Sequence, residues 1–207
     1  MGTNNTKQRL VETAINLIWK SSYGSVSVDD ICKAADVKKG SFYHFFPSKI
    51  DLAIEAMEVT HLQFKPLLDE IFSASRPPIE RFKRYIDVAY EKQKEIAEIH
   101  GMVCGCPMVS LASEMAPQDE LIRLKTDEIM DNKKRYYEST LRDMVAEELL
   151  PDSTDIPKVA ETVYSFFMGQ LVMARIQNSL EPLKPNLMKE NLFKIIGVEK
   201  NSVLQET

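Results

Sequence analysis

The sequence predicts an all-α protein, and three observations carry that reading. Glycine is scarce, with only seven in 207 residues. Apolar residues recur at three- and four-residue spacing along nearly the whole chain, the period that collects them on one face of a helix. No stretch alternates apolar and polar residues over the length of a strand. At 44% hydrophobic content, the chain can bury a real core in one or two domains.

The elements follow in order. A first helix is expected over residues 6–20, with Leu10, Ala14, Leu17 and Ile18 on one stripe. Residues 21–26 read as a loop. Ser27-Val28-Asp29-Asp30 and Ser48-Lys49-Ile50-Asp51 both place a serine cap three residues before an acid, so a helix is expected to start after each. Between them lies a short apolar helix over 28–35, a brief turn, and a second short helix that Pro47 ends. Two short helices so closely joined have the layout of a helix-turn-helix, whose second helix enters the major groove of DNA.

A long helix is expected over 49–73, with Pro66 able to bend it by removing a backbone hydrogen bond. Arg76-Pro77-Pro78 breaks the pattern. Further helices are expected over 79–99, closed by His100-Gly101, over 107–115, over 118–150, ended by Pro151, over 156–180 and over 185–196. The expected division is a helix-turn-helix domain over 1–48 and a larger helical domain over 49–207. No internal repeat or low-complexity segment interrupts them.

Charge supports the same division. The net charge of −5 alone argues against nucleic acid. Residues 1–50, however, carry seven lysines and arginines against four acids, a balance of +3 that leaves −8 on the rest. A small basic head on an acidic body fits a DNA-binding domain attached to something that must not stick to DNA. No segment approaches the roughly 20 apolar residues of a membrane span, and a cytoplasmic protein is expected. Cys32, Cys104 and Cys106 are too few and too irregular for a disulfide framework. Cys104 and Cys106 with His100 lack the spacing and the fourth ligand of a structural zinc site, so no metal and no cofactor is expected.

The segment from Thr6 to Leu52, centred on Lys38-Lys39-Gly40-Ser41-Phe42-Tyr43-His44-Phe45-Phe46-Pro47-Ser48-Lys49, resembles the N-terminal domain of the tetracycline-repressor (TetR) family. The match covers about a quarter of the chain. It implies a DNA-binding set of Ser27, Lys38, Lys39, Gly40, Ser41, Tyr43, His44 and Lys49. Physical chemistry suits these positions. Gly40 lets the helix backbone approach the groove, Lys39 and Ser41 start the helix whose N-terminal residues reach base edges, and Lys49 with Ser27 lies at helix starts suited to phosphate. Phe42, Phe45, Phe46, Ile31 and Val37 read as the small core. Two positions depart from the family pattern. Asp36 stands where the turn usually has glycine, and Lys38 replaces the Ser or Thr cap of the recognition helix.

In the body, His100-Gly101-Met102-Val103-Cys104-Gly105-Cys106 followed by Leu111-Ala112-Ser113-Glu114 resembles the H-G-x-x-x-G-C…L-x-x-E segment of one TetR branch. Phe167 to Arg175 and Leu180-Glu181-Pro182-Leu183 are similar to its penultimate helix and exit. That branch includes repressors that respond to electrophiles or oxidants through the cysteine of the G-C pair. The resemblance implies sensing at Cys106, with Arg175 supplying positive charge; the alternative for Cys106 is a small buried apolar residue. Phe167, Met168 and Tyr137 are candidate ligand-lining residues in an aromatic and methionine-rich interior, most of which is core. Val163, Phe167, Gly169, Gln170, Met173 and Ile176 lie on a helix apolar nearly all round, which must be buried on two sides, against the body and against a partner. The whole reads as a ligand-responsive homodimeric repressor, released from a palindromic operator by a small apolar or electrophilic molecule. The alternatives are a helix-turn-helix adaptor that binds protein, and an all-helical enzyme, for which no histidine cluster, phosphate loop or metal set appears.

Overall fold

The structure is a computed structural model that describes residues 2–198, with side chains from residue 5 onward. The end of the expected body, 199–207, lies outside the described residues. Among those described there are nine α-helices and no strand: α1 (Gly2–Lys20), α2 (Val28–Ala34), α3 (Lys39–Phe45), α4 (Lys49–Ile71), α5 (Pro78–His100), α6 (Pro107–Met115), α7 (Glu120–Ala146), α8 (Ile156–Gln177) and α9 (Pro185–Ile196).

Local chemistry sets most boundaries. Ser27 caps α2 in a full capping box, its hydroxyl accepting from the Asp30 amide while Asp30 accepts from the Ser27 amide. Ser48 caps α4, its hydroxyl accepting from the Asp51 amide and donating to the Asp51 carboxylate. Gly101 closes α5 and Gly197 closes α9, both in the left-handed conformation that glycine adopts freely. Pro66 does not end α4, which continues to Ile71. Among the helices that stop short of their expected span, α7 and α8 show why. α7 begins after Asp119, whose carboxylate accepts from the Ile122 amide. It stops at Ala146 because Glu148 turns left-handed (φ 59°) and the Leu149 and Leu150 amides both return to the Met144 carbonyl. α8 stops at Gln177 because Asn178 takes a left-handed φ of 46°.

The chain forms two compact units, Met1–Phe64 with Cys106–Ile129, and Lys65–Gly105 with Met130–Thr207. The first therefore extends past the helix-turn-helix to include the start of α4, α6 and the start of α7. Its core is Leu10, Ala14, Ile18, Ile31, Phe42, Leu52, Leu111 and Ile122, all buried. A cavity of about 30 Å³, room for roughly one water molecule, lies among Ile15, Ile18, Trp19, Ala53, Met57, Met108 and Leu111. The second unit is built round a ring cluster in which Tyr137 meets Phe72, Phe82, Tyr85 and Phe167 at centroid distances of 5.7, 5.9, 5.8 and 5.9 Å. Arg81 is buried there too, held by Asp143 at 2.5 Å and by the Arg76 and Ala74 carbonyls, so its charge is both paired and hydrogen-bonded.

Candidate nucleic-acid interface

The turn between α2 and α3 is closed by backbone alone. The Val37 amide reaches the Cys32 carbonyl at 2.9 Å, and Asp36 adopts φ 51°. Asp36 thus occupies the left-handed position where the motif usually has glycine, a conformation aspartate tolerates better than most residues. α3 starts at Lys38 without a side-chain cap. Phe42 and Phe46 are sealed into the head, with ring centroids 6.0 Å apart. Burying that side turns the opposite one outward, and Lys38, Lys39, Gly40, Tyr43 and His44 are all exposed while Ser41 is half-buried.

Gly40 is informative. A Cβ built there would meet nothing within 4 Å. The fold itself therefore makes no demand for glycine at this helical position, where alanine would be the better helix former. A surface that must be approached closely from outside would make that demand.

Several charged groups are already engaged. The Lys39 ammonium pairs with Asp29 at 2.8 Å, both side chains being at least half exposed, and that carboxylate raises the lysine's pKa. So exposed a pair is weak, but it sets an anion beside a cation on the outward face of α3. Asp29→Asn is expected to tighten DNA binding by about two- to fivefold, a modest gain in line with an exposed pair, whereas Asp29→Glu leaves it unchanged. Fluorescence anisotropy with a selected duplex would measure both. The Ser27 hydroxyl serves the α2 cap, where Asp30 also accepts from it at 2.6 Å. The Lys49 ammonium donates to the Tyr23 and Val26 carbonyls, at 2.6 Å each, and lies 3.8 Å from the Tyr23 ring centroid. Burial lowers its pKa. Of the eight expected DNA contacts, Lys38, Lys39, Gly40, Ser41, Tyr43 and His44 share α3 and its approach, whereas the exposed Ser27 hydroxyl is engaged with Asp30 at the α2 cap and the half-buried Lys49 ammonium with two loop carbonyls.

Residues 10–56 match the family model described as bacterial regulatory proteins, tetR family, and residues 78–187 match the tetracyclin repressor-like C-terminal domain. The chain belongs to the tetracycline-repressor family. It is 29% identical to the transcriptional regulator AcuR of Cereibacter sphaeroides over 177 residues, covering 85% of this chain and 79% of that protein. It is 23% identical to the transcriptional repressor NemR of Escherichia coli, covering 87% and 89%. Among solved structures, the regulatory protein TetR from Rhodobacter sphaeroides superposes with a TM-score of 0.77 at 27% identity, covering 92% of this chain and 96% of that one.

This TetR-family chain also has a carefully built segment ahead of α6. The buried Gln93 side chain both accepts from the Gly105 amide and donates to the Gly105 carbonyl, each at 3.1 Å. Asn178 accepts from the Val103 amide at 2.9 Å, and Arg175 donates to the Cys104 carbonyl at 2.9 Å. Gly105 is left-handed, φ 65°, and a Cβ there would stand 2.9 Å from the Leu171 carbonyl oxygen. Gln93 and Asn178 were not singled out from sequence. Gln93 had a readable signal, since it continues the buried stripe of Ile79, Phe82 and Ile86 along α5, where a polar residue needs a partner.

Cys106 follows as the N-terminal flank of α6 and is half-buried, with its carbonyl accepting from the Ser110 amide and hydroxyl. Cys104 and Cys32 are buried, and burial pushes the Cys32 thiol up. The candidate ligand-lining residues Tyr137, Phe167 and Met168 are all buried, the first two in the ring cluster. Of the six residues assigned to a partner surface, Val163 and Phe167 are buried in the chain's own core, Gln170 is half-buried, and Gly169, Met173 and Ile176 are exposed. Among the described residues, no group of three or more His, Cys, Asp or Glu is placed to hold a metal ion, and no helix is long and apolar enough to cross a membrane.

Proposed function

We propose that the protein is a homodimeric, cytoplasmic transcriptional repressor that leaves a palindromic operator when a small apolar or electrophilic molecule binds its helical body. The observation that carries the DNA-reading part is the outward face of α3, where basic and hydrogen-bonding side chains flank a glycine that the fold does not require. Lys39 and Ser41 are cast as base readers, and Lys38, Tyr43 and His44 as phosphate or base contacts. Repression accords with the NemR likeness.

Support for the dimer comes from α8. Ser165, Gly169, Val172, Met173 and Ile176 form one exposed stripe at helical spacing, and a Cβ on Gly169 would meet nothing within 4 Å. Leu187 and Ile195 of α9 are exposed as well. A large apolar stripe with a small residue in it suits close packing of a second copy. Two copies would also present two recognition helices about 34–36 Å apart, one turn of DNA. For the effector, Cys106 is the half-buried thiol of the three, and so the one open to an electrophile.

Gly40→Ala tests the DNA reading. The substitution is expected to hold or raise thermal stability, by up to about 1 kcal/mol, while lowering operator affinity more than tenfold. The operator would first be selected from a random duplex library. A wild-type protein whose log affinity shows no steep negative dependence on log salt, or a Gly40→Ala variant that binds as wild type, would overturn the reading. Labelling the native protein with N-ethylmaleimide tests the sensor. Faster modification at Cys106 than at Cys32, with operator release that Cys106→Ser abolishes, is the expected result; equal release by both proteins removes Cys106 from the switch.

A further inference from the structure

The loop between α1 and α2 is gripped from two sides by opposite charges, all within the first compact unit. From α4, the Lys49 ammonium takes two of its carbonyls, Tyr23 and Val26. From α6, the half-buried Glu114 carboxylate takes two of its amides, accepting from Tyr23 at 3.0 Å and from Gly24 at 2.6 Å. A cation on carbonyls and an anion on amides are each charge-assisted hydrogen-bond sets, about twice as strong as neutral ones. The loop is also closed on itself, with the Ser22 and Ser25 hydroxyls 2.9 Å apart and each accepting from the other's amide.

Gly24 records how close the carboxylate comes. A Cβ there would stand 2.5 Å from Glu114 Oε1, with the Glu114 carboxyl carbon, at 3.8 Å, the other atom within 4 Å. The loop leads straight into Ser27, the cap of α2, so whatever holds the loop also holds the entry to the helix-turn-helix. α4, which supplies the cation, runs on past Phe64 into the second unit.

We propose that Glu114 and Lys49 are positioning residues for operator reading, a two-charge clasp on residues 21–26 that fixes α2 and α3 to α4 and α6 and so restricts the half-site spacing a dimer accepts. The proposal rests on the dimeric operator-binding reading above. It assigns Lys49 to holding the head rather than to neutralising a phosphate, and it gives a residue far outside the DNA-binding match a role in DNA recognition.

The test uses the full chain and five variants. In the absence of DNA, hydrogen exchange of peptides covering residues 21–27 should rise at least tenfold in Glu114→Gln, where an amide NH₂ replaces one acceptor, while protection in α1 and α2 stays as in wild type. With the selected operator and versions whose half-sites are moved one base pair closer or farther, wild type should bind one spacing preferentially. Glu114→Gln and Lys49→Met should bind all three within about threefold, yet bind a single half-site as wild type does. Lys49→Met should keep the salt dependence of wild type. Gly24→Ala should behave like Glu114→Gln, and should be silent when introduced into Glu114→Ala. Unchanged exchange, or raised exchange with spacing preference intact, overturns the proposal. So does a salt slope lowered by about one unit in Lys49→Met, which would make that lysine a phosphate ligand. If wild type selects no palindrome, the dimeric reading fails first and this proposal with it, a result visible before any variant is made.

Discussion

Replacing Met173 with glutamate is expected to turn the protein into a monomer and to weaken operator binding by about 10²–10⁴-fold, the gain that linking two binding events ordinarily supplies. Met173 is 42% exposed and Ile176 71% exposed on α8, and Gly169 and Val172 continue the stripe. A carboxylate there costs a lone chain little, because it faces solvent. In a packed seam between two copies it would be a buried, unpaired charge. The variant should therefore melt like wild type at low concentration yet sediment as a monomer. Phe167→Glu provides the contrast. It faces Tyr85 and Tyr137 inside the chain and should unfold the body rather than split a dimer. A Met173→Glu protein that remains dimeric would move the seam to another surface.

Tyr137→Ala is expected to be the most damaging substitution within a single chain, costing about 3–5 kcal/mol as large aromatic truncations in cores do. Tyr137 is fully buried, and its ring touches four others. Such edge and tilted ring pairs contribute beyond the area they bury, and nothing small can collapse into the space between the four remaining aromatic side chains. Total stabilities are about 5–15 kcal/mol, so the variant should lose a large fraction of its margin. Chemical denaturation followed through the body's tyrosines would show it, and a loss below about 1 kcal/mol would mean the cluster is loosely packed.

The helix-turn-helix was legible from sequence because its determinants are local. Ser27 and Ser48 caps, the Phe42 and Phe46 core and the left-handed Asp36 depend on neighbours within a few residues. Partner choice over longer distances was not legible. Lys49 stands at the expected helix start, but two carbonyls converge on its ammonium only once α1 and α4 are packed. The nearly all-round apolar pattern of α8 marks a helix with little polar surface to give to solvent. It does not show which stripe faces the body, and it is the helix's rotation that buries Val163 and Phe167 and exposes Met173 and Ile176. The same limit applies to Tyr137, Phe167 and Met168. Aromatic spacing marks an interior, whereas only packing tells a filled interior from an open one.

The grip of Glu114 on Gly24, ninety residues earlier in the chain, bears on how such a regulator can be recombined. A chimera that grafts residues 1–48 onto another body would carry the glycine away from its carboxylate and leave the Lys49 ammonium behind as well. The transplanted helices would fold, since their caps and core travel with them, but they would arrive without the anchor that orients them. A graft that also carries 49–64 and 106–129 would keep every member of the loop's hydrogen-bond set, because that discontinuous piece, not the contiguous first 48 residues, is the compact unit to which the loop belongs.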